Sequence, residues 1–135
     1  MTQVWERLFL GGRDDAEHLF RANPNGITTV VSLCEEQVLR RKPGVNYLHL
    51  PIADATPISR VQFRGIMQAI SSNIGRGVVL IHCAAGVSRA PLMTAGWMHV
   101  VGYRNIDAAL AELRKLRPII DPSSILLMSV KEHLR

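Results

Sequence analysis

Aromatic residues supply only 5% of this 135-residue chain, too few for the stacking platforms that hold single-stranded nucleic acids. Lysine is almost missing: Lys42, Lys115 and Lys131 stand against a Lys plus Arg total of 16. The basic residues are scattered, with Arg40-Arg41-Lys42 as the one cluster, so no nucleic-acid partner is expected. Long apolar runs are missing too. The most apolar stretch, Val78 to Val87, is interrupted by His82 and falls far short of the roughly 20 residues a membrane helix needs. Glu6 and Arg7 stand where an export signal would require unbroken apolar sequence, so neither membrane association nor secretion is expected. Cysteine occurs twice, at Cys34 and Cys83, too seldom for a secreted disulfide framework. A cytoplasmic protein with two reduced thiols is the expectation. His18, His49, His99 and His133 show no ligand spacing with cysteine or acidic residues, so no metal and no cofactor are expected.

What remains is an ordinary globular mixture, 47% hydrophobic and 20% charged, with no repeat and no linker-like segment. One domain covering residues 1–135 follows. The net charge of +5 is carried mainly by arginine, whose planar head favours carboxylate and phosphate ligands.

Strand and helix patterns alternate. Val4 to Leu10 reads as a short edge strand ending at Gly11-Gly12, and Asp14 or Asp15 as the cap of a short helix through Leu19 and Phe20. Ile27 to Leu33 is rich in β-branched residues and reads as a buried strand ending at Cys34. Residues 35–42 are helical or irregular, and Val45 to Pro51 gives another strand. Ser59 caps a helix whose Phe63, Ile66, Met67, Ile70 and Ile74 keep three-and-four spacing. The unbroken run Val78 to Ile81 predicts a central parallel strand buried on both faces. Ala90 to Val101 predicts a helix apolar almost all round. Asn105 caps an amphipathic helix with Ile106, Ala109, Leu110, Leu113 and Leu116 inward. Asp121-Pro122 opens a last helix through Ile125, Leu126, Val130 and Leu134, with proline at the first helical position. The fold class is therefore α/β: a mainly parallel central sheet of four to five strands with helices on both faces. Such sheets bind ligands beyond the carboxyl ends of their strands, where Cys34, Asp54 and Cys83 fall.

The chemistry concentrates in His82-Cys83-Ala84-Ala85-Gly86-Val87-Ser88-Arg89, which joins the most apolar strand to the most apolar helix. Backbone N–H groups of a loop there point at the positive end of a helix dipole and form an anion cradle. A thiol at its floor is expected to lose its proton readily. Arg89 can fold over the same anion and bind it bidentately, and Gly86 permits the tight turn. A buried cysteine at a strand end is often only a small hydrophobe. Gly86, Arg89 and the following helix at this spacing favour a nucleophile.

These residues match the His-Cys-x-x-Gly-x-x-Arg signature of the protein tyrosine phosphatase superfamily. Leu8-Phe9-Leu10-Gly11 and Gly26 to Val31 resemble the opening of small dual-specificity phosphatases, and Arg117-Pro118 with Pro122 resembles their closing segment. The cysteine loop with Ala90-Pro91, and Cys34 after Thr-Thr-Val-Val, look most like the phosphatases of regenerating liver. Unlike those, the chain shows no prenylation box after His133-Leu134-Arg135, so no lipid anchor is expected.

The resemblance implies hydrolysis of phosphate monoesters on phosphotyrosine and phosphoserine or phosphothreonine proteins through a phosphocysteine, without metal. Cys83 is the nucleophile it implies. Ala84, Ala85, Gly86, Val87, Ser88 and Arg89 bind the phosphoryl oxygens. Asp54, in the loop Pro51 to Pro57, matches the acid that protonates the leaving group; Asp121, the other loop acid, reads as a helix cap. His82 orients the cysteine loop from the core. Cys34 is a candidate redox partner: if its strand neighbours that of Cys83, a separation of roughly 4.8 Å suits a disulfide, and the regenerating-liver phosphatases use a cysteine at the matching position. One departure is Ala90, where most relatives place Ser or Thr to stabilise the departing thiolate. Two other readings compete: a phosphatase for a non-protein substrate, either an RNA 5′ end or a phosphoinositide (the latter disfavoured by the lack of lysine in the cradle), and a slow pseudophosphatase that mainly binds.

Overall fold

A computed structural model describes residues 1–135. Its elements are β1 (Thr2–Trp5), β2 (Leu8–Gly11), α1 (Arg13–His18), β3 (Ile27–Ser32) and β4 (Asn46–His49), then α2 (Arg60–Ile74), β5 (Val78–His82), α3 (Arg89–Val100), α4 (Ile106–Leu116) and α5 (Ser124–His133). The five strands form one sheet in the order β1-β2-β5-β3-β4. All neighbours run parallel except β1, which pairs antiparallel with β2 at the edge. The α/β architecture is the expected one.

The apolar run of β5 takes the middle of the sheet because both its faces must be covered. Val79 and Ile81 join Val31, Leu10 and the helices α2 to α5 in the main core, while Leu80 joins Val30, Ala16 and Leu19 beneath α1. Helix α3 is buried from Ala90 to Met98, which explains why its sequence has no polar face. Gly96 lets it approach α2: a Cβ there would stand 3.2 Å from Phe63 Cε1. Trp97 is core as well, edge-on to Trp5 with its Nε1–H donated to Ser71 Oγ at 2.9 Å. Helix α2 begins with a reciprocal cap between Ser59 and Gln62.

Four sequence expectations need correction. The stretch read as one edge strand is a hairpin, broken where Arg7 adopts φ 62°, and its second strand lies inside the sheet. Helix α1 is capped at Gly12, with Asp15 reaching back to the Gly12 N–H from the third helical position. Asp121 does not cap α5: Ser123 does, accepting the Leu126 N–H, and Pro122 stays outside the helix. Leu116, expected inward, is more than half exposed at 53%.

Candidate active site

Between β5 and α3 the chain turns through residues 83–88, and four consecutive carbonyls of this turn are drawn outward. The Ala84 carbonyl accepts from Arg13 N–H at 2.9 Å, and that of Val87 from Asp121 N–H at 2.9 Å. Arg117 takes the two between, donating Nη2 to Ala85 O at 3.0 Å and Nε to Gly86 O at 3.1 Å. In a trans peptide the N–H points opposite to the C=O, so the amides of residues 85–88 face the inside of the turn. The result is a bowl of fixed N–H dipoles at a helix N-terminus.

Glycines permit this close packing. Gly86 has φ +68°, and a Cβ on it would come within 2.7 Å of the Gly11 carbonyl oxygen. A Cβ on Gly12 would stand 2.9 Å from Ala84 O. Asp15 braces the same corner. Burial raises its pKa, but the Gly12 N–H, the Met1 ammonium and the Arg117 charge outweigh that and hold it below the usual value.

Cys83 lies buried at the floor, with the Ala90 N–H donated to its Sγ at 3.4 Å. Arg89, half-buried beside it, is anchored by Nη1 donating to Ile52 O at 3.1 Å. Asp54 stands on the exposed rim; its Oδ1 accepts from Ser88 Oγ at 2.8 Å and from Ala55 N–H at 2.9 Å. Ser88 Oγ in turn accepts from Ser123 N–H at 2.9 Å. That hydroxyl therefore joins the acid loop, the cradle and the start of α5. The bowl encloses about 300 Å³ and brings Cys83, Arg89 and Asp54 together, with Asp121 on its rim.

His82 sits behind the floor. Its Nδ1–H donates to the Cys83 carbonyl at 3.1 Å, which leaves Nε2 to accept from Ser32 Oγ at 2.7 Å. Burial pushes its pKa down, so the ring is neutral and serves as a brace for the cysteine backbone. Cys34 follows β3, which is hydrogen-bonded to β5, and its Sγ lies 3.8 Å from His82 Nδ1. Both cysteines are free thiols. Burial pushes the Cys34 pKa up; Arg89 works against that rise, and Cys83 adds to it. No group of three or more His, Cys, Asp or Glu side chains is placed to hold a metal ion.

The role of Arg117 could not be found from residue types, because its partners are backbone carbonyls on a loop 31 and 32 residues away. Ser123 acts on the site through its N–H, which every residue but proline possesses. The elimination that set Asp121 aside as a cap fails; the bond from Ser88 to Asp54 replaces it as the reason to choose Asp54.

Comparison with known proteins agrees with this geometry. Residues 8–135 match the family described as "Dual specificity phosphatase, catalytic domain". Mouse dual specificity protein phosphatase 18 is 28% identical over 127 residues, covering 92% of this chain and 67% of its own length. The chain thus spans about two thirds of that relative. Among solved structures, human DUSP28 superposes with a TM-score of 0.85 at 22% identity, covering 99% of this chain and 95% of its own. A human tyrosine phosphatase-like serine/threonine/tyrosine-interacting protein gives 0.87 at 23% identity, covering 98% and 94%.

Proposed function

The chain belongs to the dual specificity phosphatase family, whose members hydrolyse phosphate esters on tyrosine, serine and threonine residues through a cysteine, and from that premise we propose how its residues divide the work. The observation that carries the reading is the set of four outward carbonyls, which leaves an inward ring of N–H groups above Cys83 Sγ. The Cys83 thiolate attacks phosphorus, while these amides and the free edge of Arg89 hold the three equatorial oxygens. Asp54 gives its proton to the leaving oxygen, and a phosphocysteine remains. The Asp54 carboxylate then takes a proton from the incoming water, which displaces the sulfur and releases phosphate.

The rim is low: Asp54, Ala84 and Ala85 are all exposed, while the thiol lies buried beneath them. A bowl of that depth receives a short phosphoserine or phosphothreonine as well as phosphotyrosine, on a protein or peptide partner. A cytoplasmic setting keeps both thiols reduced and suits this chemistry. Ala90 offers an N–H but no hydroxyl to the sulfur, so the second step is the slow one. Because a phosphatase-like protein shares the fold, the fold alone does not separate an enzyme from a binder. The residues in the bowl favour an enzyme.

The decisive experiment is turnover of para-nitrophenyl phosphate and of phosphopeptides in excess EDTA, wild type against Cys83→Ser. Metal-free turnover that vanishes in the variant, at least about 10⁴-fold down, supports the assignment. Phosphopeptide binding without turnover in the wild type would make the protein a binding module instead.

A further inference from the structure

The largest concavity of the molecule, about 590 Å³, is not the cradle; it lies beside α2 and the C-terminal ends of α3 and α5. Arg60, Arg64, His133 and Arg135 stand around Phe63 and Met67, and no acidic side chain lines it. None of its arginines takes part in an ion pair. The four ion pairs of the structure join Met1 to Asp15, Arg13 to Glu17, Arg104 to Glu112 and Lys131 to Asp107. The arginines whose side chains donate hydrogen bonds within the chain are Arg13, Arg41, Arg89 and Arg117. Arg60, Arg64 and Arg135 belong to neither set.

Arg60 and Arg64 are one helical turn apart on α2, so their like charges share a face and repel. The wall opposite them is fixed. His133 Nε2–H donates to the Ile58 carbonyl at 2.7 Å and the ring stacks on Phe63 at 5.7 Å. Ser129 Oγ accepts the Ile58 N–H at 2.8 Å and holds the same segment. The groove also has a defined relation to the bowl. Asp54 and Arg60 are six positions apart, at most about 22 Å of chain.

Building on the phosphatase reading, we propose that this groove is a second recognition site, which takes an acidic segment of the phosphoprotein substrate. Asp and Glu carboxylates pair with Arg60, Arg64 and Arg135 while the phosphorylated residue occupies the cradle. Roughly six residues of extended chain suffice to cover that interval, so an acidic cluster roughly six or more residues from the phosphorylated position reaches the groove.

The test uses two phosphopeptides with one phosphorylated core, one carrying a cluster of Glu roughly six to ten residues away and the other Gln at the same places. The Glu peptide should show a KM about tenfold lower at equal kcat, and the advantage should shrink as salt is raised. In an Arg60→Gln/Arg64→Gln double variant the two peptides should become equal, with para-nitrophenyl phosphate turnover unchanged. Equal KM values in the wild type overturn the proposal. Should the wild type turn over no phosphate ester, the phosphatase reading has failed, and the groove is judged by anisotropy of a labelled, unphosphorylated Glu peptide. Binding that requires Arg60 and Arg64 upholds it, and no binding overturns it. Phosphatidylserine vesicles that bind through these arginines, with no discrimination between the peptides, would assign the groove to a lipid surface and also overturn it.

Discussion

Residues 84–87 give every carbonyl to an outside donor, whereas Asp54 stands among exposed neighbours and is held by one hydroxyl and one local amide. The cradle is braced by β2, α1, Arg117 and the segment before α5. Leu33 and Arg89 hold the start of the acid loop at Ile52, but Asp54 itself leans on Ser88 alone from outside the loop, and Ala55 beside it adopts φ 53°. The contrast follows from what each part does. Stabilising the charge of a transferring phosphoryl group requires dipoles that need not reorganise during the reaction. A proton donor must instead approach the leaving group and withdraw for water, which a lightly tethered loop allows.

The comparison breaks most severely at Arg89. Arg89→Lys should lose about 10²- to 10³-fold in kcat/KM, nearly as much as Arg89→Ala, because a point charge cannot span two phosphoryl oxygens. A lysine variant that keeps most of its kcat/KM would show that the fixed fork is dispensable. On the side of the acid loop, Asp54→Asn should lower kcat about 10²-fold for poor leaving groups and flatten the alkaline limb of the pH profile. Substrates whose leaving groups need little protonation should feel it far less. An unchanged profile would move the acid elsewhere on the rim, with Asp121 the next residue to examine.

Arg117→Met sharpens the contrast from the rigid side. It frees the Ala85 and Gly86 carbonyls and slackens the bowl without touching the substrate. We expect kcat/KM to fall about tenfold. The loss should be the same for good and poor leaving groups, because the defect lies in holding the phosphoryl oxygens. A loss that tracks leaving-group pKa would mean that Arg117 acts on the acid loop instead.

The legibility of the sequence follows the same division. Helix α2 is written out locally, in Ser59, Gln62 and the spacing of its apolar residues, and the structure reproduces it. Strand β5 and the loop after it are equally plain, because burial on both faces and a Cys-to-Arg spacing leave few alternatives. The hairpin at Arg7 was hidden because a non-glycine residue takes the left-handed conformation there. The start of α5 was misplaced because a proline two residues before the helix carries the same signal as one inside it. Arg117 and the Ser88–Asp54 bond depend on tertiary folding, and composition carries no trace of them.

The smallest expected effect concerns Cys34, which lies against the rigid half but belongs to its back. We propose that it rescues Cys83 after oxidation. Peroxide converts the Cys83 thiolate to a sulfenic acid, the Cys34 thiolate attacks that sulfur, hydroxide leaves, and a disulfide remains. The geometry makes this slow. In the register Ser32 lies opposite His82, and Cys34 keeps to the side of the His82 ring, 3.8 Å from Nδ1. The Cys83 side chain must therefore swing toward it. Burial also keeps Cys34 protonated, with its pKa above the ordinary thiol value. Only the thiolate attacks, so a raised pKa means that capture is weak at neutral pH and accelerates as pH rises. After mild peroxide and then dithiothreitol, wild type should recover about twofold more activity than Cys34→Ser at neutral pH, and the gap should widen in mild alkali. A Cys34–Cys83 linked peptide in the mass spectrum should grow in parallel. Equal recovery of the two proteins across the pH range would leave Cys34 as packing behind His82.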